Sequence, residues 1–302
     1  MLLIAILFVL GVEKLFPAVH MLRHFDWVRG YSAWLRTHMG ALEKGASGVL
    51  LVIAPPVILV GLCFYILSHQ VHWLVAFTFG VAILLLCLGP KHLDEQIERY
   101  IKSRESGDTE AAHRAAADLL HAQVSGPSFH LNRAVTESIL VQSNERVFAV
   151  LFWFALLPPF GAVLYRLSLT LKQATAKERG ASEFAQAASR LHAILDWVPA
   201  RLVALGYATT GSFVDALSHW RASKARWAGK WENSSVGVLM ASGIGALQLN
   251  EDTTPPMSED LQAEIHEIRS AQALVWRTLV AWIVVIALMM LGGAGGSPHD
   301  VF

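Results

Sequence analysis

Two cysteines occur in 302 residues, and only 16% of the residues are charged. Cys63 and Cys87 both sit inside apolar runs, with no CxxC or Cys/His spacing beside them. That excludes a disulfide framework and a thiolate metal site, and the thiols read as small apolar fillers. Lys plus Arg and Asp plus Glu number 24 each, so the formal net charge is zero. The chain therefore has no global field of either sign to draw in nucleic acid or cations. It has no GxxxxGK[ST] phosphate loop, no GxGxxG after a strand and no HExxH. It also has no repeat of 20–50 residues and no low-complexity tail. The thirteen histidines are scattered. His20 and His24 are four apart, but no third ligand stands near them, so no metal site is assigned.

What the chain has in excess is apolar length. Hydrophobic residues make up 54% of it, and a soluble domain carries about 25% charged residues. Together these predict an integral membrane protein. The run "VLLVIAPPVILVGLCFYIL" (49–67) is uncharged over one bilayer thickness, with Pro55 and Pro56 inside it. After a short link at 68–72, "WLVAFTFGVAILLLCLG" (73–89) returns and stops at Pro90. Further spans are expected at 146–171, broken by Pro158 and Pro159, and at 275–294. Two shorter runs, 2–17 and 197–213, bring the expectation to an all-α, polytopic helical membrane protein of about four to six segments. The opening run lacks a basic n-region and reads as a retained first segment rather than a signal peptide. Three regions follow: 1–90 with the hairpin, a water-facing helical region at 91–145, and 146–302. In the second, Leu93, Ile97, Tyr100 and Ile101 recur at helical spacing between charges.

Six ionisable residues lie in or beside apolar runs: Glu13, Glu137, Glu145, Arg166, Asp196 and Arg201. Such groups face a bundle interior and pair with one another, or snorkel to an interface. A polar ligand site and a set of structural anchors both fit them. In "LDWVPARL", Pro199 is expected to open an apolar helix, with Asp196 just before its N-terminus. Arg201 then lies in the first two turns and needs an anion: Glu137, Glu145, a ligand or a lipid headgroup. "WRASKARWAGKW" (220–231) alternates cations and tryptophans, the composition of a segment on anionic headgroups. Membrane lipid is the partner this implies, and nucleic acid is not.

"LDWVPARL" followed by "ALGY" resembles the AmpE branch of the CobD/CbiB-type membrane family. So do the start "LLIAILFVLGVEKLF", the central "AVTESILVQSNERVFAVLFWFALLPPFGAVLYR" and the late "NSSVGVLMASGIGALQL". The family's cobalamin-pathway enzymes attach an aminopropanol unit to adenosylcobyric acid as an amide, using ATP and a divalent metal. The AmpE branch is an inner-membrane protein linked to control of β-lactamase induction. The resemblance retains Tyr165, Arg166, Pro199 and Arg201 as a frame. It departs where the enzymes carry acids. The first Glu of their central motif matches Glu137 and the Asp matches Glu145, but the second Glu and the Asn fall on Val141 and Gln142. A later acid falls on Lys172, and a paired Asp-Asp falls on His192 and Ala193. The GRDT motif is not found in 120–135.

The resemblance and these losses imply an AmpE-like bacterial inner-membrane sensor or regulatory accessory protein, with no catalytic residues, metal or cofactor. Its ligand is expected to be a cell-wall fragment or an amphiphile held by Glu13, Glu137, Glu145, Tyr165, Arg166, Asp196 and Arg201. A membrane-protein partner or a second copy of the chain stays open. The alternative is an adenosylcobinamide-phosphate synthase with an altered metal site.

Orientation follows from Lys and Arg beside the spans. The link at 68–72 has neither, whereas 14–48 and 90–145 are basic, so 90–145 is expected in the cytoplasm. A cysteine placed at Ser106 should label with a membrane-impermeant maleimide only after the inner membrane is opened. Labelling in cells with an intact inner membrane contradicts this orientation.

Overall fold

The computed structural model of the chain describes residues 2–15, 30–31, 34, 45–120, 128–176, 182–226, 234–249 and 261–293. Among the described residues there is no strand, in line with the all-α expectation. Three helices among the described residues are long and apolar enough to cross a membrane, Ala46–Gln70, Leu131–Leu156 and Leu261–Met289, and three shorter apolar helices accompany them there. The chain is a membrane protein. It divides into two compact units: 1–95, 142–201 and 227–237 form the first, and 96–141, 202–226 and 238–302 form the second.

In the first unit, α1 (Leu2–Leu15) packs on α3 (Trp73–Cys87), and α2 (Ala46–Ile66) packs on a later helix, Phe160–Thr175. The expected link after α2 is itself largely helical, because a π turn, Leu67–Val71, carries the chain on to His72. The His72 ring accepts the Leu74 amide at 3.3 Å and so caps α3. α4 (Pro90–Glu105) opens on Pro90, where a missing amide costs least. Its Leu93, Ile97, Tyr100 and Ile101 are buried, as their spacing predicts. Gly107 (φ 72°) makes the turn that follows, and Asp108 caps α5 (Thr109–Leu120) by accepting the Ala111 amide at 2.9 Å.

The expected span 146–171 is two helices. α6 (Ser128–Ser143) continues through a π turn, Asn144–Phe148, into α7 (Ala149–Leu156). The chain then breaks at the cis Pro158–Pro159 bond and restarts as α8 (Phe160–Thr175). The proline pair at 55–56 lies inside α2 without ending it, so the break at 158–159 is not set by the two missing donors alone. The apolar stretch long enough to span is 131–156.

A second expectation is also corrected. Pro199 does not start a helix but lies inside α9 (Glu183–Thr210). Proline withholds the N–H that would bond the carbonyl four residues back, that of Leu195. Trp153 Nε1 donates to that carbonyl at 3.0 Å, so the orphaned acceptor is satisfied and the helix continues. Nor is 197–213 a separate span. α9 ends at Thr210, and α10 (Phe213–Arg226) follows, with Ser212 donating to Asp215 Oδ2 at 2.6 Å. Hydrogen bonds from Ser212 and Gln248 hold the Asp215 carboxyl below the usual carboxylate range. Residues 227–231 of the basic aromatic segment lie outside the described residues.

In the second unit, α11 (Ser234–Ala246) begins in the first unit and delivers the "GIGALQL" stretch as a packing seam. A Cβ on Gly243 would stand 2.5 Å from Leu140 Cδ1, and one on Gly206 would stand 2.6 Å from Thr278 Cγ2. Tyr207 donates to the Leu140 carbonyl at 2.9 Å and Ser242 to the Ala204 carbonyl at 2.6 Å. The last helix, α12 (Leu261–Gly293), joins the charged stretch "LQAEIHEIRSAQ" and the expected final span into one rod. Its first turns are ion-paired: Glu264 with Arg104, Glu267 with Arg133 and Arg269 with Glu98. Asn132 also donates to Glu264 and accepts from Tyr100, whose hydroxyl is pushed up by burial. Farther along, Val280, Val284, Val285, Leu288 and Met289 are exposed, the composition of a lipid-facing surface.

Gly243→Leu should lower stability by about 1–3 kcal/mol, because the added side chain overpacks against Leu140. Gly11→Ala, with open space around it, should not lower it. Melting of both variants in mild detergent checks this, and equal melting temperatures contradict the seam.

Candidate buried polar site

Helix geometry brings the site together in the first unit. On α8, Tyr165, Ser168 and Lys172 follow at three- and four-residue intervals and share a face. On α9, His192 and Asp196 are one turn apart. The third contributor is the π turn 144–148, which presents Asn144 and Glu145. A π turn inserts one extra residue into a helix and re-aims the side chains around it.

Asp196 is 5% exposed, and a charge so buried must find donors. Tyr165 Oη donates to Asp196 Oδ1 at 2.7 Å and Asn144 Nδ2 donates to the same oxygen at 2.8 Å. Asn144 Oδ1 is buried and has no hydrogen-bond partner among the described residues. Ser168 Oγ donates to the Tyr165 carbonyl at 2.7 Å and lies 3.2 Å from His192 Nδ1. The His192 ring lies 5.2 Å from that of Tyr165 and is buried, 2% exposed. Its Nε2 is 3.8 Å from Glu145 Oε1, and Lys172 Nζ is 3.6 Å from that same oxygen. Two carboxylates, one ammonium and one imidazole thus form one cluster, in which Asp196 and His192 are buried and Glu145 and Lys172 are partly exposed.

The expected residues divide. Glu145, Tyr165 and Asp196 are brought together. Arg166 lies within Coulombic range of Tyr165 and of Arg146. Glu137 belongs to the second unit, where Arg133 pairs with it at 3.0 Å, one helical turn away. Glu13 lies on α1, and its side chain is outside the described residues. Of the anions expected for Arg201, Glu145 is engaged by Lys172 and His192 and Glu137 by Arg133. The Arg201 guanidinium stacks 3.9 Å from the Trp197 ring centre and donates to the Trp197 carbonyl at 2.9 Å. Because α9 runs unbroken through Pro199, Arg201 shares an exposed helical face with Trp197, and an aromatic ring serves as its partner. Asp196 is correspondingly a mid-helix carboxylate rather than a cap.

Sequence reasoning treated Lys172 and His192 as lost acids and passed over Asn144 and Ser168. The spacing of Tyr165, Ser168 and Lys172, and of His192 and Asp196, was the available signal. The position of Asn144 depends on the π turn, which no local pattern announces.

The divalent metal that the resemblance implies does not fit these residues. Among the described residues no three His, Cys, Asp or Glu side chains converge to hold an ion. Glu145 already faces an ammonium, and Asp196 Oδ1 already accepts two hydrogen bonds. A hard divalent cation needs several free oxygen ligands.

Comparison with known proteins bears on the same residues. Two curated relatives are both named cobalamin biosynthesis protein CobD. The one from Stutzerimonas stutzeri is 32% identical over 218 residues, covering 68% of this chain and 71% of its own length. The one from Chromobacterium violaceum is 32% identical over 210 residues, covering 68% of this chain and 63% of its own. No solved structure matches. The relatives' names overturn the expectation of an AmpE-like signalling role in β-lactamase control and side with the cobalamin alternative. The family profile described as CobD/Cbib protein matches residues 3–254, across both units and the whole polar site. The chain belongs to the CobD/CbiB family.

Proposed function

We propose that this chain acts in cobalamin biosynthesis in the bacterial inner membrane, at the step that joins an amino alcohol to a corrinoid carboxyl as an amide. The relatives' names support the pathway. One feature of the site supports the amine half of the reaction: the buried Asn144 Oδ1 has no donor and sits on the side chain that holds Asp196. A buried acceptor without a partner is costly, and a donor-rich ligand relieves it. An alkylammonium brings three N–H donors and a charge opposite to Asp196 and Glu145. Amide formation requires the carboxyl to arrive activated as an acyl phosphate, with the phosphoryl group supplied by a nucleoside triphosphate co-substrate. The amine loses a proton to a neighbouring carboxylate and attacks the acyl carbon, and the C–O bond to phosphate breaks as the C–N bond forms, releasing inorganic phosphate. The neighbouring carboxylates suit the holding of that amine, and Tyr165 keeps Asp196 oriented. The apolar helices around the pair exclude water, which strengthens each of these contacts.

Expression of the chain in a strain lacking its own cobinamide-forming family member should restore growth that depends on cobinamide. Tyr165→Phe should lower cobinamide formation roughly tenfold, the effect of one hydrogen bond to a charged group. Asp196→Ala should lower it at least about 100-fold. A well-expressed chain that gives no rescue overturns the proposal.

A further inference from the structure

We propose that Lys172 is a built-in cation that closes this site to divalent metal ions. The inference rests on the cobalamin reading in one respect, since that reading makes a divalent ion the expected occupant. The geometry argues for the closure independently. Glu145 Oε1 is flanked by Lys172 Nζ at 3.6 Å and by His192 Nε2 at 3.8 Å. An ion seated on that oxygen would sit about 4 Å from the ammonium, where the repulsion between a double and a single charge is large even in a well-screened site. On Asp196, Oδ1 is already engaged by Tyr165 and Asn144.

Lys172 is not a stray surface charge. It lies in the last turn of α8, on the face that carries Tyr165 and Ser168 into the cluster. There it favours the helix C-terminus as well as Glu145. Lysine is a compact point charge on a flexible stem, so it can approach a carboxylate as a small cation does. The site therefore has its own cationic side chain in place, independent of metal supply.

The test is a Mn2+ titration of the full chain in detergent, with free Mn2+ counted by electron paramagnetic resonance. The wild-type chain and Glu145→Gln should be indistinguishable up to about 1 mM Mn2+. Lys172→Asp should gain one bound ion, held at least tenfold more tightly than by wild type, and the double variant with Glu145→Gln should lose it. If Lys172→Asp does not fold, Lys172→Gln removes the charge while keeping the shape and should also bind at least tenfold more tightly. A wild-type chain that holds one Mn2+ lost on Glu145→Gln overturns the inference. So does a folded Lys172 variant with wild-type affinity. Failure of the rescue experiment leaves this titration standing, and metal uptake by the wild-type chain leaves the rescue standing.

Discussion

One buried oxygen, Asp196 Oδ1, organises the first unit. A carboxylate this far from water is stable only if donors replace its hydration. Those donors come from residues 144 and 165, so the π turn and α8 are both tied to α9 at a single point. Removing Asp196 leaves both donors without this partner in an apolar setting, and removing either donor leaves the buried carboxylate with one bond fewer, where the penalty exceeds the worth of the bond itself. The second carboxylate, Glu145, adjoins Asn144 in sequence and brings Lys172 and His192 into the same cluster.

The position of that oxygen depends on a repair of the backbone. Pro199 leaves the Leu195 carbonyl without its helical donor, and the indole of Trp153 supplies one. With α9 intact, its two faces have opposite characters. His192, Asp196 and Val203 are buried. Ile194, Trp197, Val198, Leu202 and Leu205 form an exposed apolar stripe, with Arg201 stacked on Trp197 within it. A Trp–Arg pair on such a stripe suits the boundary between hydrocarbon and headgroups.

In the second unit the boundary is written along a single helix. The first three turns of α12 carry Glu264, Glu267 and Arg269, each paired with a residue of α4 or α6. The later turns offer bare aliphatic side chains. Ion pairs need water or partners, and aliphatic chains need neither, so a straight rod can serve both zones. Small residues at 206 and 243 allow the helices within this unit to approach closely enough for Tyr207 and Ser242 to reach backbone carbonyls.

Local sequence determined what local physics controls. The uncharged run at 49–67 could only be a membrane helix, and the spacing of Leu93, Ile97, Tyr100 and Ile101 could only bury one face of α4. The quoted motifs led to the right family. They also suggested a signalling role, which the relatives' names overturn, because the missing acids looked like a missing site. Tertiary structure decided the rest. Whether Pro199 starts a helix or sits within one depends on Trp153, forty-six residues away in the sequence and invisible to any local rule. Whether Arg201 finds an anion or an aromatic ring depends in turn on that helix being continuous. The partnership of Glu145 with Lys172 and His192 is likewise a property of packing. A charge is read from sequence as a cost, and only the fold shows which opposite charge, donor or ring offsets it.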